Sequence, residues 1–286
     1  MEGLNIQPAG IYVDVTFGGG GHSREILKNL KKGKLIAFDQ DDCAAINKPV
    51  DDRFLFLNQN FRFLKNNLRS YGITAVDGLL ADLGVSFHQF DEPERGFSFR
   101  NDTVLDMRMN KSAGVSAVDI LNKYGEKELK KVFYEYGELK MAARLANAIT
   151  RARESAKITT STQLIEVVRE FVPARTENKF YAKLFQAIRI EVNREIEFLK
   201  EMLVQAFEVM KPGGRIVIIT YHSLEDRIVK NFFRTGNFEG IMEKDFYGNT
   251  NEPFKLVNKK VITPGEDEIR SNSRSRSAKL RIAEKK

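Results

Sequence analysis

The chain has 286 residues, 42% of them hydrophobic, and a formal net charge of +7. This length and composition are typical of one large globular domain or of a domain with an insertion, and they argue against a disordered chain. No apolar run approaches the roughly 18 residues of a membrane span, and the single cysteine, Cys43, excludes an internal disulfide framework, so we expect a cytoplasmic protein.

The first predicted strand leads into a run of four glycines. Residues 11–15 are apolar and rich in β-branched side chains, residues 18–21 are all glycine, and residues 23–30 carry apolar side chains at helical spacing. Strand, glycine turn and helix form the start of a nucleotide-binding βαβ unit. An ordinary glycine-rich turn that binds no ligand is the alternative interpretation.

The second predicted strand, residues 34–38, ends at Asp39. A carboxylate about 20 residues beyond such glycines is expected to accept hydrogen bonds from ribose hydroxyls, although Asp39 could instead cap a helix. The glycines depart from the dinucleotide pattern, since Ser23 replaces the third glycine and His22 stands where a pyrophosphate needs backbone room. A cofactor with an adenosine but no phosphates fits better, which indicates S-adenosylmethionine.

Further strands are predicted at residues 53–57, 76–81 and 215–220, with a closing strand at 278–283. The alternation of strands and helices predicts an α/β fold with a doubly wound, parallel sheet. Ligands on such sheets bind outside the carboxyl ends of the strands. The glycine turn, Asp39, Phe61 and Asp82 all fall at that edge.

About 130 residues separate the fourth and fifth predicted strands, far more than a normal crossover needs. The last part of this interval, residues 179–209, reads as one long helix. The earlier part, residues 97–178, contains amphipathic helices, with Ser116 as a candidate N-cap of one helix and Thr160 and Ser161 as candidate N-caps of another. We therefore predict a sheet domain at 1–96 and 179–286, interrupted by an all-helical subdomain at 97–178 that recognises the substrate.

Several motifs in combination resemble a known family. The chain resembles the bacterial S-adenosylmethionine-dependent methyltransferases that modify the exocyclic N4 amine of a cytidine in small-subunit ribosomal RNA, the ribosomal RNA small subunit methyltransferase H family. The resemblance extends over almost the whole chain. The segments that carry it are residues 12–23, 37–42, 81–86, 95–99, 105–109, 185–193, 221–230 and 274–284.

The resemblance implies a Rossmann-like methyltransferase sheet and S-adenosyl-L-methionine as cofactor. It also implies a set of cofactor contacts, in which the glycines approach the methionine part, the first aspartate binds ribose and the phenylalanine packs on adenine. Those contacts are Gly20, Gly21, His22, Asp39, Phe61, Asp82 and Gln89. Residues 87–90 differ from the version common in the family, but Gln89 keeps its place.

The sequence predicts no catalytic residue. Enzymes that methylate exocyclic amines commonly carry an Asp/Asn/Ser-Pro-Pro-aromatic motif after the fourth strand, and here residues 82–86 contain no proline. Four side chains are candidates for contacts with the amine: Asp82, Asp106, Asn193 and His222. Asp106 could equally form a structural ion pair with Arg108. The three histidines show no close ligand spacing, so a metal site is not predicted.

The basic charge favours a large anionic partner, although a lysine-rich surface alone would also explain it. We expect small-subunit ribosomal RNA, within the assembled subunit, as the substrate, and no membrane partner. RNA contacts are expected from five arginines, each of which could instead lie on a solvated basic face: Arg144, Arg151, Arg153, Arg274 and Arg276. The sequence leaves open a monomer or a homodimer. It also leaves open a methyltransferase of DNA or of a small molecule, and a non-catalytic nucleotide-binding RNA chaperone.

Overall fold

The computed structural model describes residues 1–86, 90, 92–112, 114–244, 246–248, 250 and 252–286. The chain forms two compact units. The sheet unit consists of Met1–Gly84 and Ile196–Lys286, and the helical unit is the continuous segment Val85–Glu195. Among the described residues, no helix is both long and apolar enough to cross a membrane.

The sheet unit is built on a seven-stranded sheet with the order β3-β2-β1-β4-β5-β7-β6. β1 to β5 pair in parallel, and β7 pairs antiparallel with both β5 and β6. This confirms the predicted doubly wound, Rossmann-like sheet. The strands are β1 Ile11–Asp14, β2 Lys34–Phe38, β3 Phe54–Leu57, β4 Val76–Asp82, β5 Met210–Thr220, β6 Phe254–Leu256 and β7 Lys279–Lys285.

Helices accompany the sheet and make up the helical unit. In chain order they are α1 Gly21–Asn29, α2 Leu64–Ser70, α3 Ala117–Lys123, α4 Glu126–Glu135, α5 Ala142–Ser155, α6 Ser161–Val168, α7 Glu177–Asn193, α8 Glu195–Val209, α9 Ser223–Thr235 and α10 Glu266–Ser271. Of the predicted caps, Ser116 and Thr160 are observed: their side chains accept the N3 backbone N–H of α3 and α6 in capping boxes, whereas Ser161 is the first residue of α6.

Both faces of the sheet are covered, as the near-continuous apolar strands require. On one face, Val13 and Ile36 pack in a cluster with Leu203 of α8 and Phe232 of α9. On the other face, Leu35 and Leu80 belong to a cluster that includes Ile26 of α1. The central strands are therefore buried on both sides, and only their ends are available to a ligand.

The helical unit has an apolar core of its own. Leu121 of α3, Phe133 of α4, Leu145 of α5 and Leu184 of α7 are all fully buried in one cluster. Each helix contributes one apolar face, as the 3.6-residue periodicity of its sequence predicts.

The prediction of one long helix over residues 179–209 was wrong. α7 ends at Asn193, and Arg194 adopts a left-handed conformation with φ 50° and ψ 39° before α8 begins. The apolar face of α7 belongs to the helical core, whereas Leu199 and Leu203 of α8 belong to the sheet core. A change of core within one apolar segment explains why periodicity alone did not reveal the break. The helical unit is also longer than the predicted insert 97–178, since it runs from Val85 to Glu195.

Two other elements differ from the prediction. The turn predicted at residues 210–214 lies within β5, as an irregularity at which the register shifts between the pairs Val76–Met210 and Gly78–Arg215. The short strand β6 was not predicted. It is only three residues long and lies at the edge of the sheet, where β7 is its neighbour among the described strands.

Candidate functional site

The strands of the sheet unit that carry polar residues at their carboxyl ends are neighbours in space. β1 is hydrogen-bonded to β2 and to β4, and β5 lies on the other side of β4. Because these strands are parallel, their carboxyl ends meet at one edge, where the strand order reverses. The structure thus brings the glycine turn at residues 18–21, Asp39, Asp82 and Tyr221 to the same edge.

The glycine turn is tight, and its backbone requires glycine. Gly18 and Gly20 have φ values of 50° and 74°, a region that side chains disfavour. The Gly20 N–H donates to the Phe17 carbonyl over 2.7 Å, and a Cβ on Gly20 would lie 2.9 Å from the Phe17 ring. At Gly19 and Gly21, by contrast, a Cβ would meet nothing within 4 Å. The backbone is therefore open to a ligand at these two positions.

A buried carboxylate fixes the turn to the strand before it. Asp14, the last residue of β1, is fully buried and accepts a 2.7 Å hydrogen bond from the Ser23 hydroxyl and a 3.1 Å bond from the Thr16 N–H. Burial raises the pKa of the Asp14 carboxyl above its ordinary value. Asp14 thus links the end of β1 to the first turn of α1 and holds the glycines between them.

Asp39 is tied to the same turn from the end of β2. One carboxylate oxygen accepts the Gly18 N–H over 2.7 Å, and the other accepts the Asp41 N–H over 2.9 Å. The side chain is partly exposed, and each oxygen keeps a second lone pair for another donor. Burial raises the pKa of the carboxyl to about 6, mainly because desolvation disfavours the charged form.

Phe61 lies beyond β3, next along the sheet edge. It begins a short 3-10 turn, Phe61–Phe63, whose N-cap Asn60 accepts the Arg62 N–H over 2.9 Å. The Asn60 amide also donates to the Gln40 side chain over 2.6 Å, which ties this turn to the end of β2. The Phe61 ring is only partly buried against the sheet core, so an apolar ring surface is available at this edge of the sheet.

Asp82, at the end of β4, lies between two polar side chains. Its Oδ1 accepts a 2.9 Å hydrogen bond from the Tyr221 hydroxyl, and its Oδ2 lies 3.3 Å from His22 Nε2. The Asp82 N–H donates to the Thr16 hydroxyl over 2.6 Å. The hydrogen bond to Asp82 raises the pKa of His22, and burial together with Asp82 raises the pKa of Tyr221. The pKa shifts thus favour a protonated tyrosine, and a charged histidine, on either side of the carboxylate.

Tyr221 was not among the candidates chosen from the sequence, which favoured His222. Tyr221 directly follows β5, and the Glu225 carboxylate accepts its backbone N–H over 3.1 Å. His222 is instead the N-cap of α9: its side chain is 8% exposed, its Nδ1 accepts the Glu225 N–H, and its Nε2 lies 3.0 Å from the Glu225 carboxylate. Knowledge of the strand order would have placed Tyr221 beside Asp82, because β5 lies next to β4 in the sheet.

The two candidates in the helical unit are engaged within that unit. The Asp106 carboxylate forms a two-pronged ion pair with Arg108, at 2.7 and 2.9 Å. The Asn193 amide accepts the Met109 N–H over 2.7 Å and donates to the carbonyls of Met107 and Arg189. These three bonds of Asn193 use both of its amide hydrogens and one lone pair of its oxygen, so Asn193 holds residues 107–109 against α7.

The remaining predicted residues have different surroundings. Gln89 lies outside the described residues. Arg153 is partly buried and donates to the Leu121 carbonyl over 2.8 Å, so its guanidinium group is engaged within the helical unit. Arg274 and Arg276 belong to the 3-10 turn Ser273–Ser277, where both are exposed.

The residues at the sheet edge fit S-adenosylmethionine better than a dinucleotide. Three carboxylates, Asp14, Asp39 and Asp82, lie near the glycine turn, and their charge would oppose a pyrophosphate. S-adenosylmethionine has no phosphate, carries positive sulfonium and ammonium groups, and offers ribose hydroxyls to the free lone pairs of Asp39. The open backbone at Gly19 and Gly21 provides the room that a bound ligand needs.

Comparison with known proteins gives full-length matches. The MraW methylase family matches residues 1–286. A protein of Parabacteroides distasonis named Ribosomal RNA small subunit methyltransferase H is 60% identical over 287 residues, which cover 100% of this chain and 94% of that protein. A protein of the same name from Phocaeicola vulgatus is 58% identical with the same coverage. A solved rRNA methylase from Streptococcus thermophilus aligns with 98% of this chain and 89% of its own, at 11% identity and a TM-score of 0.43.

Proposed function

The chain belongs to the MraW methylase family and is an S-adenosylmethionine-dependent methyltransferase, and from that premise we propose that it methylates the exocyclic N4 amine of a cytidine in small-subunit ribosomal RNA. The observation that carries the proposal is the identity of 60% and 58%, over the whole chain, to two proteins named Ribosomal RNA small subunit methyltransferase H. The choice of cytidine, and of its N4 amine, rests on the motifs that resemble the cytidine-modifying family.

The cofactor is proposed to bind at the carboxyl edge of the sheet. When bound, S-adenosylmethionine supplies a methyl group that its sulfonium already activates for transfer. The backbone at Gly20 and Gly21 approaches the methionine part, the Asp39 carboxylate accepts the ribose hydroxyls, and Phe61 packs on adenine. His22, Asp82 and Gln89 complete the proposed set. The pairing of Asp39 with the Gly18 N–H supports this arrangement, because it couples ribose binding to the shape of the glycine turn.

Asp82 is proposed to contact the amine that is methylated. The cytosine amine is a weak nucleophile because its lone pair is delocalised into the ring. An acceptor that holds an amine hydrogen turns the nitrogen lone pair toward the methyl group, which is catalysis by orientation and electrostatic stabilisation. Among the four candidates, Asp106, Asn193 and His222 are engaged in structural contacts. Asp82 is partly exposed at the strand edge, where Tyr221 and His22 fix its carboxylate.

The substrate is proposed to be ribosomal RNA within the assembled small subunit, in the cytoplasm. An exocyclic amine cannot reach an active site while its base is stacked and paired, so an unpaired or flipped-out cytidine is the expected acceptor. The helical unit Val85–Glu195 is proposed to recognise that substrate. The net charge of +7 favours association with a polyanion.

The proposed function can be tested with radiolabelled S-adenosylmethionine and small ribosomal subunits from cells that lack the enzyme. Digestion of the RNA to nucleosides should place the label in N4-methylcytidine. Subunits from cells that contain the enzyme serve as the control and should accept little label. Label in a different nucleoside, or in DNA or a small molecule but not in the subunit, would contradict the proposal. Binding of the subunit without any transfer would indicate the non-catalytic RNA chaperone.

A further inference from the structure

A groove of about 670 Å³ runs along α5 in the helical unit. Its α5 wall consists of two adjacent rows of residues at i, i+4 spacing, and three of these residues are the short side chains Ala143, Ala148 and Ala152. The facing wall includes the partly exposed, apolar side chains of Val167 and Phe171. A groove of this volume is within the range of ligand sites, and it borders the helical core, against which Ala152, Val167 and Phe171 are partly buried.

Two arginines of α5 line the same groove. Arg144 and Arg151 are both exposed and lie on one side of the helix, about 10 Å apart along its axis. In the part of the chain that the structure describes, neither guanidinium group has an ion pair or a hydrogen bond. Arg153 on the same helix differs, because it donates to the Leu121 carbonyl. The groove therefore contains two cations whose hydrogen-bond donors are available to a ligand.

We propose that this groove binds a single-stranded segment of the RNA substrate, with Arg144 and Arg151 on its phosphates and a base or ribose against Phe171. This inference rests on the proposed RNA-methylating function and assigns a place on the helical unit to it. Guanidinium groups match phosphate oxygens in charge and in two-pronged geometry. Single strands leave the faces of their bases open to aromatic side chains. An acidic protein segment would also match the arginines, and RNA is favoured because it is the proposed substrate of this chain.

Glu170 provides a test of the sign of the occupant's charge. It is the acidic residue among those that line the groove, and it is exposed. Its carboxylate repels a phosphate backbone, so Glu170→Gln should tighten RNA binding while the two arginine substitutions weaken it. Weaker binding of RNA by Glu170→Gln would overturn the placement of phosphates in this groove.

The experiment uses the full chain and a labelled oligocytidylate of about twelve nucleotides, followed by fluorescence anisotropy between about 50 and 200 mM salt. The double variant Arg144→Gln, Arg151→Gln should bind about tenfold more weakly at the low-salt end. Its slope of log affinity against log salt should be shallower by about 1.4, since each phosphate contact on a single strand contributes about 0.7. The matched control is Lys31→Gln, Lys32→Gln, which removes two exposed charges from the turn before β2 in the sheet unit, and should leave the slope unchanged.

Equal slopes for the two double variants would overturn the inference, whatever the result for methylation. If the arginine variant binds oligocytidylate like the control but loses affinity for intact subunits, the groove binds a protein, and the RNA assignment is wrong. Failure of the proposed function has a different signature, because the unaltered chain would then place no label in subunit RNA. The cofactor affinity measured by calorimetry and the melting temperature should be the same for all variants, because the substituted side chains are exposed.

Discussion

Asp39 is an acid whose proposed ligand requires the charged form that burial disfavours. Its pKa is raised to about 6, above the ordinary value of 3.8. Between these two values the folded chain binds a proton that the unfolded chain has released, so this group's contribution to stability falls as the pH rises through that window. At neutral pH the site thus holds an ionised carboxylate at a cost in folding free energy. Hydrogen bonds from ribose hydroxyls to that carboxylate would offset the cost.

The affinity for S-adenosylmethionine should therefore depend on pH through Asp39. Binding selects the ionised carboxylate, so affinity should fall about tenfold between pH 7 and pH 5. Calorimetry across this range measures the change. Asp39→Asn should bind more weakly at pH 7 and lack this dependence. The pKa of His22 is also raised, but His22 is retained in both proteins and therefore does not account for the difference.

Asp39→Ala should lose about 1.5–3 kcal/mol of cofactor-binding free energy for each ribose hydrogen bond. Unchanged affinity in a folded Asp39→Ala variant would refute the ribose role.

Tyr221 is predicted to act by positioning Asp82. Tyr221→Phe removes the 2.9 Å hydrogen bond to Oδ1 and, among the residues that the structure describes, leaves His22 as the side chain in contact with the carboxylate. The turnover number for methyl transfer should fall by about 10- to 100-fold, with cofactor affinity changed by less than about threefold. Tyr124→Phe is the matched control, because the Tyr124 hydroxyl also donates to a carboxylate, that of Glu191, over 2.8 Å. If both variants lose turnover equally, the effect is structural, and the positioning role of Tyr221 is wrong.

At the scale of elements, the junction of β1 and α1 depends on one hydroxyl. The Ser23 hydroxyl donates to the fully buried Asp14 carboxylate, and Ser23→Ala leaves that oxygen without a donor. The free energy of unfolding should fall by about 1–3 kcal/mol at pH 7. The loss should be smaller at pH 4, because burial raises the pKa of Asp14 and a protonated carboxyl needs the donor less. Urea denaturation at the two pH values measures both effects.

Ser70→Ala provides the comparison for that experiment. The Ser70 hydroxyl donates to the Asn67 carbonyl over 2.8 Å at the exposed end of α2. Loss of an exposed bond of this kind should change the free energy of unfolding by less than about 0.5 kcal/mol. Equal losses for Ser23→Ala and Ser70→Ala would mean that Asp14 does not need the Ser23 hydroxyl.

The elements that carry the site could be predicted from local pattern, whereas those that depend on packing could not. β1 and β4 are short apolar runs that end in Asp14 and Asp82, β2 is directly followed by Asp39, and the parallel pairing of the three strands brings those ends together. The pairing of Tyr221 with Asp82 joins residues from opposite sides of the helical unit in sequence, and no local pattern indicates it. The break at Arg194 likewise depends on which core each half of the segment packs against.

At the scale of the whole molecule, the division into two units predicts a division of labour. The sheet unit contains the glycine turn, Asp39, Phe61 and Asp82, and the helical unit contains the proposed RNA groove. Replacement of residues 85–195 by a short glycine-serine linker should leave a protein that binds S-adenosylmethionine but no longer methylates small subunits. Calorimetry and the radiolabel assay measure the two activities, and a thermal melt shows whether the sheet unit remains folded.

The two contrary outcomes of that replacement have different meanings. A folded linker protein that still methylates the subunit would show that the helical unit is not the substrate domain. A folded linker protein that has lost the cofactor would show that the helical unit contributes to cofactor binding. The Arg144→Gln, Arg151→Gln variant of the complete chain supplies the control, since it keeps the whole helical unit and alters only the proposed RNA contacts.

During translation the ribosome makes the whole helical unit after β4 and before β5, the partner of β4. β4 can pair with β1 as soon as it emerges, but its other edge has no partner until Met210–Thr220 has been synthesised about 130 residues later. At about 5–20 residues per second this takes roughly 6–26 s. The continuous helical unit can fold within that time from contacts closer in sequence. Meanwhile the unpaired backbone N–H and C=O groups of the apolar strand β4 are open to pairing with other chains, so we expect this edge of the nascent protein to need protection by a chaperone.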